Sequence, residues 1–295
     1  MQKALQTRSS RRRIASVHRA EVSRHPAESL ALAEAARRHA LEDQLAQVRR
    51  EHDELRRVLF EAAQVQRKLC GPRLLRCESF EIATEIFPVR HLSGDFISLF
   101  EAHGDLVFAI GDIAGKGLPA GIWFTHLIGM IRLQFRSHSD PAATLAAVNR
   151  DLLRTGMELP VTTLFLARLN SKTGEITYCN AGHPPALLLR DNGRLDNLRA
   201  GGPLLGALAG ASFVTGKTTL APGDTLLGYS DGITECRNTA GADFGAERLL
   251  TAAQTACDSG AAATLFSVLG AVEDFAGSQP REDDFALIVV HRDGN

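Results

Sequence analysis

Between residues 27 and 70 a seam runs at alternating steps of four and three, Leu41, Leu45, Val48, His52, Leu55, Leu59, Ala62, Gln66 and Leu69, apolar at all but two positions. The segment holds no glycine and is rich in Ala, Leu, Glu, Gln and Arg, so the pattern predicts one long helix. About four heptads suit a coiled coil, in which His52 and Gln66 weaken a dimer but fix its register. A single amphipathic helix lying on its own domain satisfies the same pattern. "CGPRLL", residues 70–75, ends the helix with a Gly-Pro pair. Beyond it, short strand-length runs dominate: "FEIATEIFP", "DFISLFEA", "DLVFAIGD", "TTLFLARL", "EITYCNAG", "ALLLR", "FVTGKTTL", "DTLLGYSD" and "FALIVVHR". Turn signals at "SKTGE", 171–175, and "DNGR", 191–194, join neighbours into hairpins, which means antiparallel sheet. Helical periodicity returns in two pairs, 119–136 with 141–155 and 246–257 with 261–276. Helix pairs set among hairpins predict an α+β fold of two stacked antiparallel sheets flanked by helices, not a doubly wound parallel sheet.

These signals divide the chain into a basic flexible tail (1–26), a helical or coiled-coil linker (27–70) and a domain (71–295). With 295 residues, 44% of them hydrophobic, there is ample material for a core. Net charge is -1, yet residues 1–70 carry 15 Lys/Arg against 9 Asp/Glu and the remainder 18 against 25. A basic extension thus precedes an acidic domain, a balance that argues against a nucleic-acid-binding face. The run Arg11–Arg13 reads as a solvated tail. Five scattered cysteines without C-x-x-C spacing suggest neither a zinc site nor a disulfide framework, and a reducing cytoplasm is expected. No apolar stretch reaches the roughly 18–20 residues a bilayer span needs, so no integral membrane segment is expected.

Aspartates recur where an apolar run meets a glycine or a turn: Asp95 in "SGDF", Asp112 in "IGDIAGKG", Asp231 in "YSDGITE", and Asp283 with Asp284 in "REDDFALIVV". One acid at a strand end is an ordinary turn former. Several at one rim of a sandwich repel one another unless a cation sits among them, and hard divalent ions such as Mg²⁺ or Mn²⁺ suit carboxylates, carbonyls and water. Two such ions about 3.5–4 Å apart acidify a bridging water and deliver hydroxide in line to a phosphoryl or acyl centre. Hydrolysis of a phosphate ester is the expected chemistry, with phosphatase and nuclease not separated at this level.

The blocks "LSGDF", "FAIGDIAGKGLPAG", "TTLFLARLNSKTGEITYCNAGHPPALLL", "LAPGDTLLGYSDGITE", "FGAERL" and "DDFALIVV" occur in one order. Together they resemble the type 2C metal-dependent protein serine/threonine phosphatases, in the bacterial branch typified by stage II sporulation protein E and the regulators of sigma B. The likeness runs from about residue 64 to 292. It implies an αββα sandwich with two Mn²⁺ or Mg²⁺ ions, held by Asp95, Asp112, Asp231 and Asp283 with the backbone carbonyl of Ile113. It also implies hydrolysis of phosphoserine or phosphothreonine on a bacterial regulatory protein, an anti-sigma-factor antagonist, by a metal-bridged hydroxide. Of the last two acids, Asp283 holds the family's ligand position, and Asp284 is expected to face away.

Phe285 and Ala286 stand where the family often has Ile-Thr, which removes a hydroxyl, and Ile113-Ala114 lacks the histidine that eukaryotic relatives offer as proton donor. His183 in "NAGHPP" is a substitute acid or a loop anchor, Lys116 a phosphate contact or a solvated lysine, and Glu235 a helix-start or surface acid. "GLPAGIWFTHLIGMIRL" resembles the helix that helps switch activity in this branch. A homodimer through the N-terminal coiled coil would give partner binding a lever on ligand placement. Alternatives are a catalytically silent phosphatase-like scaffold and a two-metal phosphodiesterase or nuclease.

Overall fold

The computed structural model describes residues 2–156 and 160–294, with side chains for residue 30 and from residue 32 onward. The chain divides into two compact units, Met1–Val58 and Leu59–Asn295. Helix α1 is assigned over Gln2–Cys70. The basic tail read at 1–26, with Arg11–Arg13, lies outside the residues whose side chains are described. In the first unit Leu41, Leu45, Val48 and Leu55 of the predicted seam are each more than half exposed. Among the described residues no helix is long and apolar enough to cross a membrane.

In the second unit the strands are β1 (Leu74–Cys77), β2 (Phe80–Phe87), β3 (Asp95–Ala102), β4 (Asp105–Ile113), β5 (Thr162–Leu169), β6 (Glu175–Ala181), β7 (Ala186–Leu189), β8 (Leu195–Leu198), β9 (Gly201–Gly202), β10 (Gly216–Thr219), β11 (Thr225–Tyr229) and β12 (Phe285–Arg292). The helices are α2 (Leu118–His138), α3 (Pro141–Arg154), α4 (Asp231–Thr234), α5 (Gly245–Gln254) and α6 (Ala261–Ala276). One sheet has the order β1-β2-β12-β11-β7-β8; the other has β10-β6-β5-β4-β3, with β9 alongside β6. Every pairing is antiparallel except that of β9.

The period-two alternation of strand side chains builds four layers. In β4, Leu106, Phe108 and Ile110 enter the core between the sheets, where they meet Ile97 and Leu99 of β3, Phe165 of β5 and Ile288 and Val290 of β12. The alternate residues Val107 and Ala109 face outward onto Phe124, Ile128, Leu145 and Val148 of α2 and α3. On the other sheet, Leu287 and Val289 of β12 face Leu249 of α5 and Leu265 and Val268 of α6. Helix–sheet–sheet–helix is therefore the arrangement in which each apolar run finds a partner. Close approach of the sheets requires Gly228, where a Cβ would stand 2.8 Å from Ile288 Cγ2 and 3.2 Å from Ile110 Cγ2.

Candidate active site

Asp95 opens β3 directly opposite Asp112 of β4, and Asp112 in turn faces Thr163 of β5. Asp95 shares its parity with Ile97 and Leu99, and Asp112 with Phe108 and Ile110, all in the inter-sheet core. Both carboxylates therefore close one end of that core, with Asp95 only 4% exposed. The opposing sheet contributes Asp231, which starts the single-turn helix α4 two residues after β11 ends. Gly232 makes that turn possible: a Cβ there would lie 2.1 Å from the Asp284 carbonyl oxygen. Asp283 and Asp284 sit immediately before β12.

The acids feel one another. Burial first, then the charges of Asp231, Asp283 and Asp284, push the Asp112 carboxyl from the ordinary 3.8 up to about 6, with Lys116 opposing. Burial drives Asp95 well above the usual carboxylate range; Asp112, Asp284 and Asp231 add to this, while the Ser230 hydroxyl opposes it. Asp95 Oδ2 is buried with no hydrogen-bond partner. A Cβ built on Gly94 would fall 2.8 Å from the carbonyl oxygens of both Ile113 and Gly115 and 3.2 Å from Asp112 Oδ1, so the glycine leaves open a cradle walled by oxygens.

Asp284 differs from expectation. It is buried and turned inward, its Oδ1 accepting the Val89 amide (2.7 Å) and its Oδ2 the Gly94 amide (2.8 Å). Asp284 keeps the inward parity of Ala286 in β12, and those two amides give its carboxylate its partners. The side chain of Asp283 is 53% exposed and lies 2.7 Å from Lys116 Nζ, which also donates to the Glu282 carbonyl. Lys116 is thus paired with an acid rather than freely solvated. His183 is a loop anchor: its amide donates to Asn180 Oδ1, its carbonyl accepts from Asn180 Nδ2, and Nδ1 lies 2.9 Å from Thr163 Oγ1. Burial pulls its ring down to about 3, so it stays neutral and sealed, a poor proton donor. Glu235 is exposed at the end of α4, as a surface acid would be.

Several contributors escape a reading of strand-end acids. Ser230 Oγ accepts the Ala286 amide at 2.9 Å, which places a hydroxyl beside the position where Ala286 lacks one. Thr163 is legible only once the register aligns it with Asp112. Gln66 belongs to the helical seam by spacing, yet it is buried at 8% exposure in the second unit.

As they stand, no three His, Cys, Asp or Glu side chains among the described residues form a set that could hold a metal ion. Asp283 in particular is turned to Lys116. Two observations still fit divalent cations: the unpartnered buried oxygen of Asp95 and the all-oxygen cradle at Gly94, donors of the hard kind that Mg²⁺ and Mn²⁺ take.

Residues 102–293 match the family described as stage II sporulation protein E (SpoIIE). The phosphoserine phosphatase RsbU of Bacillus subtilis is 28% identical over 239 residues, 78% of this chain and 69% of RsbU. Protein IcfG of Synechocystis sp. is 27% identical over 221 residues, 65% of this chain but only 35% of IcfG, so the chain spans about a third of that longer relative. Among solved structures, the SiaA PP2C domain of Pseudomonas aeruginosa superimposes with a TM-score of 0.71 at 18% identity, covering 82% of this chain and 98% of that domain. With its sandwich, its rim of acids and these likenesses, the chain belongs to the stage II sporulation protein E family of PP2C-type serine/threonine phosphatases.

Proposed function

We propose that the chain removes phosphate from phosphoserine or phosphothreonine of a bacterial regulatory protein, an anti-sigma-factor antagonist, using two divalent cations, Mn²⁺ or Mg²⁺. Asp95, Asp112, Asp231 and Asp283, with the Ile113 carbonyl, are the residues assigned to hold them. The observation that carries the reading is the buried, unpartnered Asp95 oxygen among carboxylates drawn from both sheets. Divalent ions in such a site lower the pKa of water and neutralise phosphoryl oxygens during in-line displacement.

The chain's own residues do the rest. Asp284 holds both ends of the segment between β2 and β3 through the Val89 and Gly94 amides, and so ties the cradle at the start of β3 to the sheet that contains β12. Asp283, exposed and paired with Lys116, has the freedom to turn inward, and a released Lys116 is a point charge at the rim for a phosphate oxygen. Burial raises the thiols of Cys70 (to about 11), Cys179 (to about 12), Cys236 and Cys257, which disfavours a thiolate nucleophile at these positions. Direct attack by water follows. The exposed Leu41, Leu45, Val48 and Leu55 are assigned to a homodimeric coiled coil.

The test compares a phosphoserine protein, nitrophenyl phosphate and a phosphate bis-ester under Mn²⁺, with Asp112→Ala as control. Monoester hydrolysis that is lost in the control supports the proposal. Turnover of the bis-ester alone indicates a phosphodiesterase, and no turnover of any substrate indicates a silent scaffold; either result overturns it.

A further inference from the structure

The last turns of α1 belong to the same compact unit as the site. At the seam position where an apolar residue is expected stands Gln66, and its side-chain amide grips both backbone polar groups of a single residue. Nε2 donates to the Ser93 carbonyl at 2.9 Å, and Oε1 accepts the Ser93 amide at 3.3 Å. Engaging both polar groups of one residue imitates a strand partner and fixes that stretch of backbone where no sheet neighbour does so. The neighbouring Gly94 donates to Asp284 Oδ2 at 2.8 Å and accepts the Ile113 amide at 3.2 Å. Asp95 follows at once, and a small cavity bounded by Gln66, Ser93 and Asp95 joins the two ends of this path. The helix end is held from its other side, because Arg132 of α2 donates to the Leu69 carbonyl at 2.7 Å and to Ser98 Oγ at 3.3 Å.

We propose that Gln66 is a positioning residue for the cation centre: its amide sets the Ser93–Gly94 backbone, and through it the Asp95 carboxylate and the oxygen cradle. The inference rests on the reading of those carboxylates as cation ligands. A glutamine that only satisfied a buried polar gap would, on its loss, touch stability alone. Groups that orient ligands from behind act on metal affinity, typically by ~10–100-fold on removal.

The experiment uses the full chain, with Gln66→Met, which keeps length and apolar bulk but loses both bonds, and Gln66→Glu, which keeps only the acceptor. Mn²⁺ binding is followed by titration calorimetry, and amide exchange is measured over residues 92–96. Gln66→Met is expected to weaken Mn²⁺ at least ~10-fold and to speed exchange at Gly94 and Asp95. Its kcat should return at saturating Mn²⁺ while the apparent KM for the metal rises, with Gln66→Glu intermediate. Wild-type Mn²⁺ affinity and exchange in a folded Gln66→Met overturn the proposal, whatever its melting temperature. Should that variant not fold, the same result in Gln66→Glu overturns it. A wild-type chain that takes up no Mn²⁺ overturns the cation centre itself and this inference with it, an outcome distinct from failure in the variants alone.

Discussion

Asp112 is held at a disadvantage that a proton or a counter-ion relieves. Its folded-state pKa of about 6 stands above the ordinary 3.8, so the folded chain binds this proton more tightly than the unfolded one does. The contribution to stability is therefore fully present below about pH 4 and is lost as the pH rises through about 6. Asp112→Asn removes the repulsion, and without metal at pH 7 it is expected to raise stability by ~1–2 kcal/mol after allowance for partial solvent screening, a rise in Tm of about 3–6 °C. Excess Mn²⁺ should reverse the order, because only the wild type gains binding free energy. Thermal melts at pH 5 and pH 7, with and without metal, check both signs, and a variant less stable than wild type at pH 7 without metal contradicts the account. Asp95, Asp112, Asp231 and the 283–284 pair were legible because an acid where an apolar run meets a glycine or a turn stands out. Ser230, Thr163 and the inward turn of Asp284 were not, since each depends on cross-strand register or on bonds to segments remote in sequence.

At the scale of elements, hydrophobic periodicity carried most of the fold. The nine predicted runs coincide with strands and the four helical stretches with α2, α3, α5 and α6. What it did not mark were β1, β8, β9 and α4, of two to four residues each, which, unlike the equally short β7 and β10, were not singled out by a run of their own. The lower end of the long seam also reads differently in three dimensions. Leu69 packs against the α2–α3 side of the core and Gln66 is buried within the second unit, so there the pattern serves the chain's own domain. The α4 turn is the element most sensitive to a single methyl group. Gly232→Ala brings a Cβ to 2.1 Å from the Asp284 carbonyl oxygen, which must shift. The expected cost is ~1–3 kcal/mol, together with weaker Mn²⁺ binding, because Asp231 and the Asp283–Asp284 segment move apart. Calorimetric melting and metal titration of the same sample check both parts; full Mn²⁺ affinity in the variant would separate the turn from the centre.

For the whole molecule, the division at Val58 and Leu59 falls inside α1, not at the Gly-Pro break that ends it. A chain of residues 59–295 is expected to fold, keep Mn²⁺-dependent hydrolysis and sediment as a monomer, whereas residues 71–295 lose Gln66 and should bind Mn²⁺ poorly. Sedimentation and activity of the two truncations against the full chain decide this; a 59–295 species of the full chain's oligomeric state removes the coiled coil from the dimer. The order of strands carries a further implication. β12, the latest strand in the sequence, is inserted between β2 and β11, and the residues just before it include Asp283 and Asp284. A polypeptide cut short before residue 283 lacks both the middle of a sheet and two of the rim acids, so such a fragment is expected to neither close the sandwich nor hydrolyse phosphate.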